Sequence, residues 1–460
     1  MPELLRGPLA WADRRHAWLV LAALGLAAVN LTFRLSHEMI QVWDESLYAT
    51  TALEMLRSGN WIVTTFQGAP DYYNSKPPLN VWLIALSFKA FGVSLLALRL
   101  PSALAAWLTV LAVYVWSRRQ LGPRVAVLAA LVLGTTYGFL YTHSGRTANA
   151  DAPLTLVITL TFMTAWNAQR RPRVALWLGP LAAIAVMLKG PGALALMAPF
   201  AVADLVEAMR ARPRLAVWAA PRLAGLALGA LPVGLWAYAR WHYDGWRFFS
   251  HMIGYDALAR VGSALEGHAE SPFYFLDVLQ RHEYEWLIVA ALAVLAAPSA
   301  LGMLWRWLGA SPARSLMPAW LVAGIGLPTL MSTKLSWYLN PFFPLLAMAV
   351  AAAVWHGWST LVAERRVAVA RAFAAVVVLA FGVAETTLAW HSYRRLDLGR
   401  SAQGLLIEHA GALDGHRVFA ERCPYPEAFL AAAAGARCVP ADLAAFEREA
   451  VRGDLWIGDR

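Results

Sequence analysis

Long apolar stretches separated by short polar segments dominate this chain. A helix needs about 20 consecutive apolar residues to cross the hydrocarbon core of a bilayer, and many of these stretches approach that length. The pattern indicates an all-α polytopic membrane protein with about 11 transmembrane helices. We predict spans at residues 17–33, 99–116, 125–141, 152–166, 174–188, 192–206, 223–239, 286–304, 316–331, 339–355 and 372–388.

The segment 41–92, directly after the first span, departs from this pattern. Apolar residues with the spacing i, i+3, i+4, i+7 predict a short amphipathic helix here; they are Ala49, Ala52, Leu53 and Leu56. We expect this helix to lie along the membrane surface. Asp44 stands where its carboxylate can cap this helix, and Gly59 is a stop signal. The apolar run 77–88 is too short to span, so we predict a second interfacial helix there.

Composition and charge support the membrane assignment and orient the chain. Hydrophobic residues make up 59% of the sequence and charged residues only 15%, with a net charge of +10. Such a charge would suggest nucleic-acid binding in a soluble protein, but arginine clusters here fall between alternate spans, which is the positive-inside pattern. The clusters are Arg6/Arg14/Arg15, Arg118/Arg119/Arg124, Arg170/Arg171/Arg173, Arg210/Arg212/Arg214/Arg222, Arg306/Arg314 and Arg365/Arg366/Arg371.

This orientation predicts an inner-membrane protein whose external side is periplasmic. The loops 41–92 and 240–285 are then external, as is the end of the chain. Counting residues 77–91 as a span would move the arginine clusters outside, so the charge rule rejects it. We predict a transmembrane domain at 1–390 and a small periplasmic α/β domain at 391–460, with strands near 418–420 and 454–458. Its Cys423 and Cys438 leave both a disulfide and two free thiols open.

The predicted external segments carry an unusual set of polar side chains. Ionisable groups near spans are costly, which favours a functional role, although a lysine at a span end also has the pattern of a snorkelling side chain. Asp44 and Glu45 are adjacent, so on a helix only one of them faces a given substrate atom. The candidates are Asp44 and Asp151 for catalysis and Glu45, Tyr73, Lys76, Arg146, Lys189, His268, Lys334 and Tyr338 for substrate binding.

Lysines and carboxylates at one membrane face suit the transfer of a sugar from a lipid phosphate. Lysine is a point-charge partner for phosphate, and a carboxylate can accept a proton from an attacking hydroxyl. Fixed positive charge would stabilise the departing phosphate, so one base and several cations suffice. His268 could also bind a metal with Glu266 or Glu270, but metal sites need three or four ligands, and this pattern leaves a divalent metal undecided.

An ordered set of motifs between about residues 13 and 350 resembles a known family. The motifs are DESLYATTALEMLRSGNWI, YYNSKPPLNVW, RLPSALAA, RTANADAPL, MLKGP, HAESPFYF and TKLSWYLNPFFP. They are similar to motifs of the lipid A aminoarabinose transferase and protein O-mannosyltransferase group of the GT-C superfamily. That resemblance implies an inverting glycosyltransferase with an undecaprenyl-phosphate-type donor and a periplasmic acceptor such as lipid A, a glycan or a protein.

The resemblance also implies roles for individual residues. Asp44 corresponds to the general base of the first external loop, Lys76 to the lysine that contacts the lipid phosphate, and Asp151 to the acid of the second loop. Lys189 and Tyr338 correspond to further donor-site positions. Ser75 replaces an acidic residue that helps to hold zinc in those relatives, and the shorter tail means that the acceptor need not be lipid A.

Two other classes of protein remain open at this stage. A transporter or flippase of lipid-linked sugars would need charged groups at mid-membrane depth on several spans, or a repeated half of the fold. The sequence instead gathers its ionisable residues at one face and has no visible repeat. If the protein were a membrane sensor whose tail binds a partner, Lys76 would be dispensable and the tail would be essential.

Overall fold

Helices make up most of the regular structure of this chain. The computed structural model describes residues 14–259, 268, 270–299, 302, 309, 313–394 and 401–457. The first helices are α1 (His16–Thr32), α2 (Asp44–Ser58), α3 (Leu79–Phe91), α4 (Leu95–Gln120), α5 (Pro123–Thr135), α6 (Tyr137–Tyr141), α7 (Asp151–Ala168), α8 (Leu178–Lys189), α9 (Ala193–Ala211) and α10 (Leu215–Asp244). They are followed by α11 (Arg247–His251), α12 (Tyr274–His282), α13 (Tyr284–Ala296), α14 (Ala313–Leu321), α15 (Leu327–Leu330), α16 (Phe343–Ala363) and α17 (Val367–Arg394).

The predicted all-α polytopic architecture is confirmed. Among the described residues, six helices are long and apolar enough to cross a membrane, namely His16–His37, Leu95–Gln120, Pro172–Lys189, Leu215–Asp244, Ser336–Ala363 and Val367–Arg394. Shorter apolar helices are Leu79–Phe91, Pro123–Thr135 and Tyr284–Ala296. Each predicted span overlaps a helix, while the total of about 11 spans stays a prediction.

Close packing between α8 and α10 depends on glycines. A Cβ atom at Gly179 would collide with the backbone carbonyl of Gly225, and one at Gly229 would collide with the carbonyl of Gly179. Gly225 and Gly229 form a GxxxG spacing on α10, the arrangement that lets two membrane helices approach closely. These contacts hold the start of α8, the helix whose last residue is Lys189, against a long neighbouring helix.

The segment after α1 forms the two short helices predicted for it. Helix α2 ends at Gly59, which adopts the left-handed conformation expected of a C-terminal stop. Asp44 is the first residue of this helix and Trp43 occupies its N-cap position, so the prediction that Asp44 is the cap is corrected. Helix α3 begins after Pro78 and, at 13 residues, is about 20 Å long, too short to cross a hydrocarbon core of about 30 Å.

Two buried ion pairs fix the start of this segment. Arg99, which is 1% exposed, donates to Glu45 Oε1 at 2.7 Å, and its other nitrogens donate to the carbonyls of Leu35, Glu38 and Met39. Arg146 pairs with the Glu38 carboxylate and also donates to backbone carbonyls of α1 and its C-terminal neighbour. Both guanidinium groups thus hold the chain between α1 and α2.

The end of the chain is a small α/β unit, as predicted. After the short hairpin β1 (Thr65–Phe66) and β2 (Ala69–Pro70) that follows α2, the chain has three parallel strands in this unit, β3 (Arg417–Ala420), β4 (Arg437–Pro440) and β5 (Leu455–Ile457), which form a sheet in the order β4-β3-β5. Helices α18 (Ala402–Glu408), α19 (Tyr425–Ala433) and α20 (Leu443–Glu449) complete it, and a disulfide joins Cys423 to Cys438. Strand β4 was not predicted.

This unit shares a hydrophobic core with the segment 41–92. Phe429 of α19 stacks on Phe88 of α3 with ring centroids 6.2 Å apart. Buried residues of β3 and α19 belong to the same apolar cluster as Ala49, Ala52 and Leu53 of α2. The boundary between the predicted domains is therefore a packed interface.

We expect the Arg99→Ala substitution to destabilise the protein by about 3–5 kcal/mol, because it leaves the buried Glu45 carboxylate without its counter-ion. The midpoint of thermal unfolding in detergent measures this effect. Arg119→Ala, at an exposed arginine of the same helix α4, is the matched control and should leave the midpoint nearly unchanged. Equal midpoints for the two variants would contradict a stabilising role for the pair.

Candidate active site

A cavity of about 520 Å³ lies where the segment 41–92 meets the ends of several helices. The polar and aromatic lining residues come from widely separated parts of the sequence and include Trp43, Asp44, Tyr73, Asn74, Lys76, His143, Asp151, Lys189, His268, Trp337 and Tyr338. Much of the remaining lining is apolar, from Val42, Leu154, Leu196, Leu327, Pro328, Met331, Leu335 and Pro341. A cavity with this mixture suits an amphiphilic ligand with a charged headgroup.

Two pairs of opposite charges face this cavity. Lys76 Nζ lies 3.8 Å from Asp44 Oδ1, and Lys189 Nζ donates to Asp151 Oδ1 at 2.6 Å. Asp44 and Asp151 are the first residues of α2 and α7, and Lys189 is the last residue of α8. Carboxylates at helix N-termini and cations at C-termini are favoured by the helix dipole, so the secondary structure itself stabilises these charges.

The two carboxylates differ in access to the cavity. The Asp44 side chain is 34% exposed, whereas that of Asp151 is 7% exposed and held by its short contact with Lys189. Asp44 is therefore the carboxylate that a substrate reaches more readily. Asp151 is placed to orient the Lys189 ammonium group.

Aromatic rings support both lysines. Lys76 Nζ lies 5.5 Å from the centroid of the Tyr48 ring, and Lys189 Nζ lies 5.9 Å from that of Tyr338, both within the range of cation–π attraction. Burial raises the pKa of the Tyr48 phenol, so Tyr48 stays neutral beside Lys76. Each ammonium group thus has one carboxylate and one aromatic ring close to it.

The structure brings most of the predicted site residues together. Those that line the cavity are Asp44, Tyr73, Lys76, Asp151, Lys189, His268 and Tyr338. The structure places Glu45, Arg146 and Lys334 apart from its lining. Glu45 and Arg146 belong to the buried ion pairs described above, and Lys334 Nζ donates to the carbonyl of Met331 at 2.9 Å. Their role as substrate contacts stays a prediction, and the cavity geometry does not support it, because none of the three lines the cavity.

Sequence reasoning missed three aromatic residues of the cavity. His143 stacks on Trp337 with ring centroids 3.8 Å apart. Trp43 has a φ of 77°, a rare conformation for a bulky residue, and such backbone strain clusters at functional sites. A histidine inside the motif-bearing segment 143–151 was the available signal, but nothing in the sequence linked it to Trp337.

The described residues do not fit a metal site. In that part of the chain, no group of three or more histidine, cysteine, aspartate or glutamate side chains is placed to hold an ion. The hydroxyl oxygen of Ser75, where the resemblance implied an acidic residue, lies 3.1 Å from His251 Nδ1. Of the two acids predicted as partners of His268, Glu270 is exposed and Glu266 lies outside the described residues. No step of the chemistry below depends on a metal.

Known proteins are similar in sequence to this chain over most of its length. Residues 75–236 match a family model described as dolichyl-phosphate-mannose-protein mannosyltransferase. The chain is 30% identical over 350 residues to the undecaprenyl phosphate-alpha-4-amino-4-deoxy-L-arabinose arabinosyl transferase of Pseudomonas aeruginosa (strain UCBPP-PA14), covering 74% of this chain and 60% of the relative. The enzyme of the same name from Pseudomonas savastanoi pv. phaseolicola is 30% identical over 346 residues, covering 72% and 61%. The chain thus spans about 60% of the length of these relatives.

Two solved structures share the fold. ArnT from Cupriavidus metallidurans, bound to undecaprenyl phosphate, matches with a TM-score of 0.66 and 18% identity over 90% of this chain and 85% of its own. The archaeal oligosaccharyltransferase AglB from Archaeoglobus fulgidus, in complex with an inhibitory peptide and a dolichol-phosphate, matches with a TM-score of 0.57 and 14% identity over 92% and 64%.

The fold is therefore that of a multi-span membrane protein and is shared with ArnT and AglB. By sequence, the chain is similar to transferases whose names include a polyprenyl-phosphate-linked sugar. This confirms the resemblance inferred from its motifs.

His143 generates a prediction about pH. Burial lowers its pKa, although the carboxylates of Asp151 and Asp44 oppose that shift, so the folded protein favours the neutral imidazole. As the pH falls below about 6.5, the unfolded chain binds a proton that the folded protein binds only at lower pH, and stability decreases. The unfolding midpoint of the wild type should therefore drop more between about pH 7.5 and about pH 5 than that of His143→Gln. Identical drops would show that His143 does not titrate in this way.

Proposed function

We propose that this chain is an inverting glycosyltransferase that moves a sugar from a polyprenyl-phosphate carrier to a periplasmic acceptor such as lipid A, a glycan or a protein. The observation that carries the proposal is the convergence of the Asp44–Lys76 and Asp151–Lys189 pairs on one cavity of a GT-C fold. The printed names of the relatives, which include undecaprenyl phosphate, support this choice of donor.

The two lysines bind the phosphate of the donor in this proposal. Ammonium groups are point charges that pair with phosphate oxygens, and a site partly shielded from water strengthens that attraction. When the bond between the sugar C1 and the phosphate oxygen breaks, the electron pair leaves with polyprenyl phosphate. Lys76 and Lys189 stabilise the negative charge that develops there. Tyr73 and Tyr338 border the same cavity, and Tyr338 also faces Lys189.

Asp44 is the proposed general base. An acceptor hydroxyl attacks C1 from the face opposite the phosphate, forms the new bond to the sugar and gives its proton to the Asp44 carboxylate. The configuration at C1 is inverted because a single displacement takes place. If the acceptor is a phosphate, its oxygen attacks without losing a proton, and Asp44 then orients the acceptor.

We further propose that the cavity faces the periplasm of a bacterial inner membrane. Helix α7 has 18 residues, about 27 Å of rise, between Asp151 at the cavity and the arginines at 170 and 171. Positive clusters on the opposite side support a cytoplasmic location for that end. The domains follow as a transmembrane catalytic part at 1–390 and a periplasmic α/β part at 391–460, where a disulfide suits the oxidising compartment.

A transporter of lipid-linked sugars is the competing function. Its discriminating property is that it moves the donor without cleaving it. Purified protein given donor and acceptor in detergent should release free polyprenyl phosphate if it is a transferase. Intact donor after incubation would favour the transporter. A sensor would also leave the donor intact, but deletion of the tail alone would abolish its function.

The Asp44→Asn variant should lose about 10²- to 10⁴-fold in transfer rate to a hydroxyl acceptor, because the amide cannot take up the proton. Release of polyprenyl phosphate over time measures the rate, and a normal elution profile in detergent controls for folding. Full activity of a well-folded Asp44→Asn variant would overturn the assignment of Asp44.

Lys76→Ala should weaken binding of polyprenyl phosphate about 10- to 100-fold, the loss expected for one charge-assisted contact. Binding of the lipid phosphate to detergent-solubilised protein measures this without turnover. Lys89→Ala is the matched control, since Lys89 is exposed at the end of α3 and does not line the cavity. Unchanged affinity in Lys76→Ala would remove Lys76 from the phosphate site.

A further inference from the structure

The C-terminal unit reaches the edge of the candidate active site through one aromatic ring. Tyr425, the first residue of α19, lies edge-on to Trp43 with ring centroids 5.6 Å apart, and to Phe66 at 5.0 Å. Trp43 lines the cavity and directly precedes Asp44. We propose that Tyr425 is a positioning residue that holds Trp43, and through it Asp44, in the geometry required for sugar transfer. This inference rests on the proposed function.

Trp43 needs such support because its backbone is strained. It combines a φ of 77° with a ψ of −117°, a region that bulky residues avoid. Such a conformation persists only where surrounding contacts over-determine it. Trp43 is 57% exposed, so the membrane part of the protein covers less than half of it. Tyr425 supplies a contact from the opposite unit, in the edge-to-face arrangement that aromatic rings prefer.

Other contacts hold the same segment on both sides of Asp44. The Gln403 side chain accepts a hydrogen bond from Ile40 N at 2.8 Å and donates one to Ile40 O at 3.3 Å. At the far end of α2, Arg57 Nη2 donates to the carbonyl of Ala432 at 2.6 Å. The C-terminal unit is thus bonded before and after Asp44, and its Tyr425 contacts the residue directly preceding Asp44.

Phe66 extends the contacts of Tyr425 to a second part of the segment 41–92. It belongs to a short hairpin, β1 (Thr65–Phe66) with β2 (Ala69–Pro70), which is fixed to α2 by the Glu54 carboxylate. Thr65 donates to Glu54 Oε2 at 2.6 Å. Tyr425 therefore lies between two rings whose backbones are both anchored to α2, so the loss of its ring would loosen the helix start.

Kinetics of the full chain separate positioning from general stabilisation. Tyr425→Ala should lower kcat about 10- to 100-fold, as expected for a displaced catalytic group, with little change in the KM for the donor, whose phosphate is held by the lysines. Tyr425→Phe keeps the ring and should restore kcat. Phe446→Ala is the matched control, because Phe446 packs against Phe419 and Trp456 inside the C-terminal unit.

Hydrogen exchange of the segment 40–47 provides a second measurement that does not depend on activity. Exchange should be faster in Tyr425→Ala than in wild type and unchanged in Phe446→Ala. Wild-type exchange and kcat in Tyr425→Ala would overturn the proposal, as would an equal loss of kcat in Phe446→Ala or Tyr425→Phe. Full activity of Asp44→Asn would instead overturn the catalytic assignment, and the exchange rates would still decide whether Tyr425 fixes this segment.

Discussion

The buried ion pair between Glu45 and Arg99 is the contact on which the geometry of the candidate site depends. Two charges in the protein interior are tolerated only when their hydrogen bonds are satisfied, and here the guanidinium group also binds three backbone carbonyls. Glu45 is thereby fixed in the core. Consecutive residues of a helix point about 100° apart, so its neighbour Asp44 is turned toward the cavity. Of these two adjacent carboxylates, Glu45 holds the fold together and Asp44 faces the cavity.

Opposite charges are also paired at the cavity. Lys76 and Lys189 each have a carboxylate within 4 Å, so each ammonium group at the cavity keeps an anionic partner. In the proposed reaction the donor phosphate becomes a further anionic partner for both lysines. The differing exposure of Asp44 and Asp151 then separates their roles, because the accessible carboxylate meets the acceptor while the enclosed one orients a lysine.

The C-terminal unit is bound to α2 and the residues before it by side-chain contacts and a shared apolar core. Its sheet lies outside the membrane helices, yet α19 packs on α2 and α3 and brings Tyr425 to Trp43. The relatives that match this chain are longer, and the matched part covers about 60% of them. The small unit lies next to the site, and its Tyr425 contacts Trp43, the residue before Asp44.

The sequence by itself determined the apolar helices, the two short helices of the segment 41–92, the stop at Gly59 and strands β3 and β5, because hydropathy, spacing and turn chemistry are local properties. It also supplied most of the cavity residues through ordered motifs. Tertiary structure alone decided that Glu45 and Arg146 are buried in ion pairs, that Cys423 bonds to Cys438, and that His143 meets Trp337. Strand β4 belongs with these, since its pairing with β3 is not local. The physical reason is that burial and pairing depend on which distant segments pack together, and no single stretch of sequence contains that information.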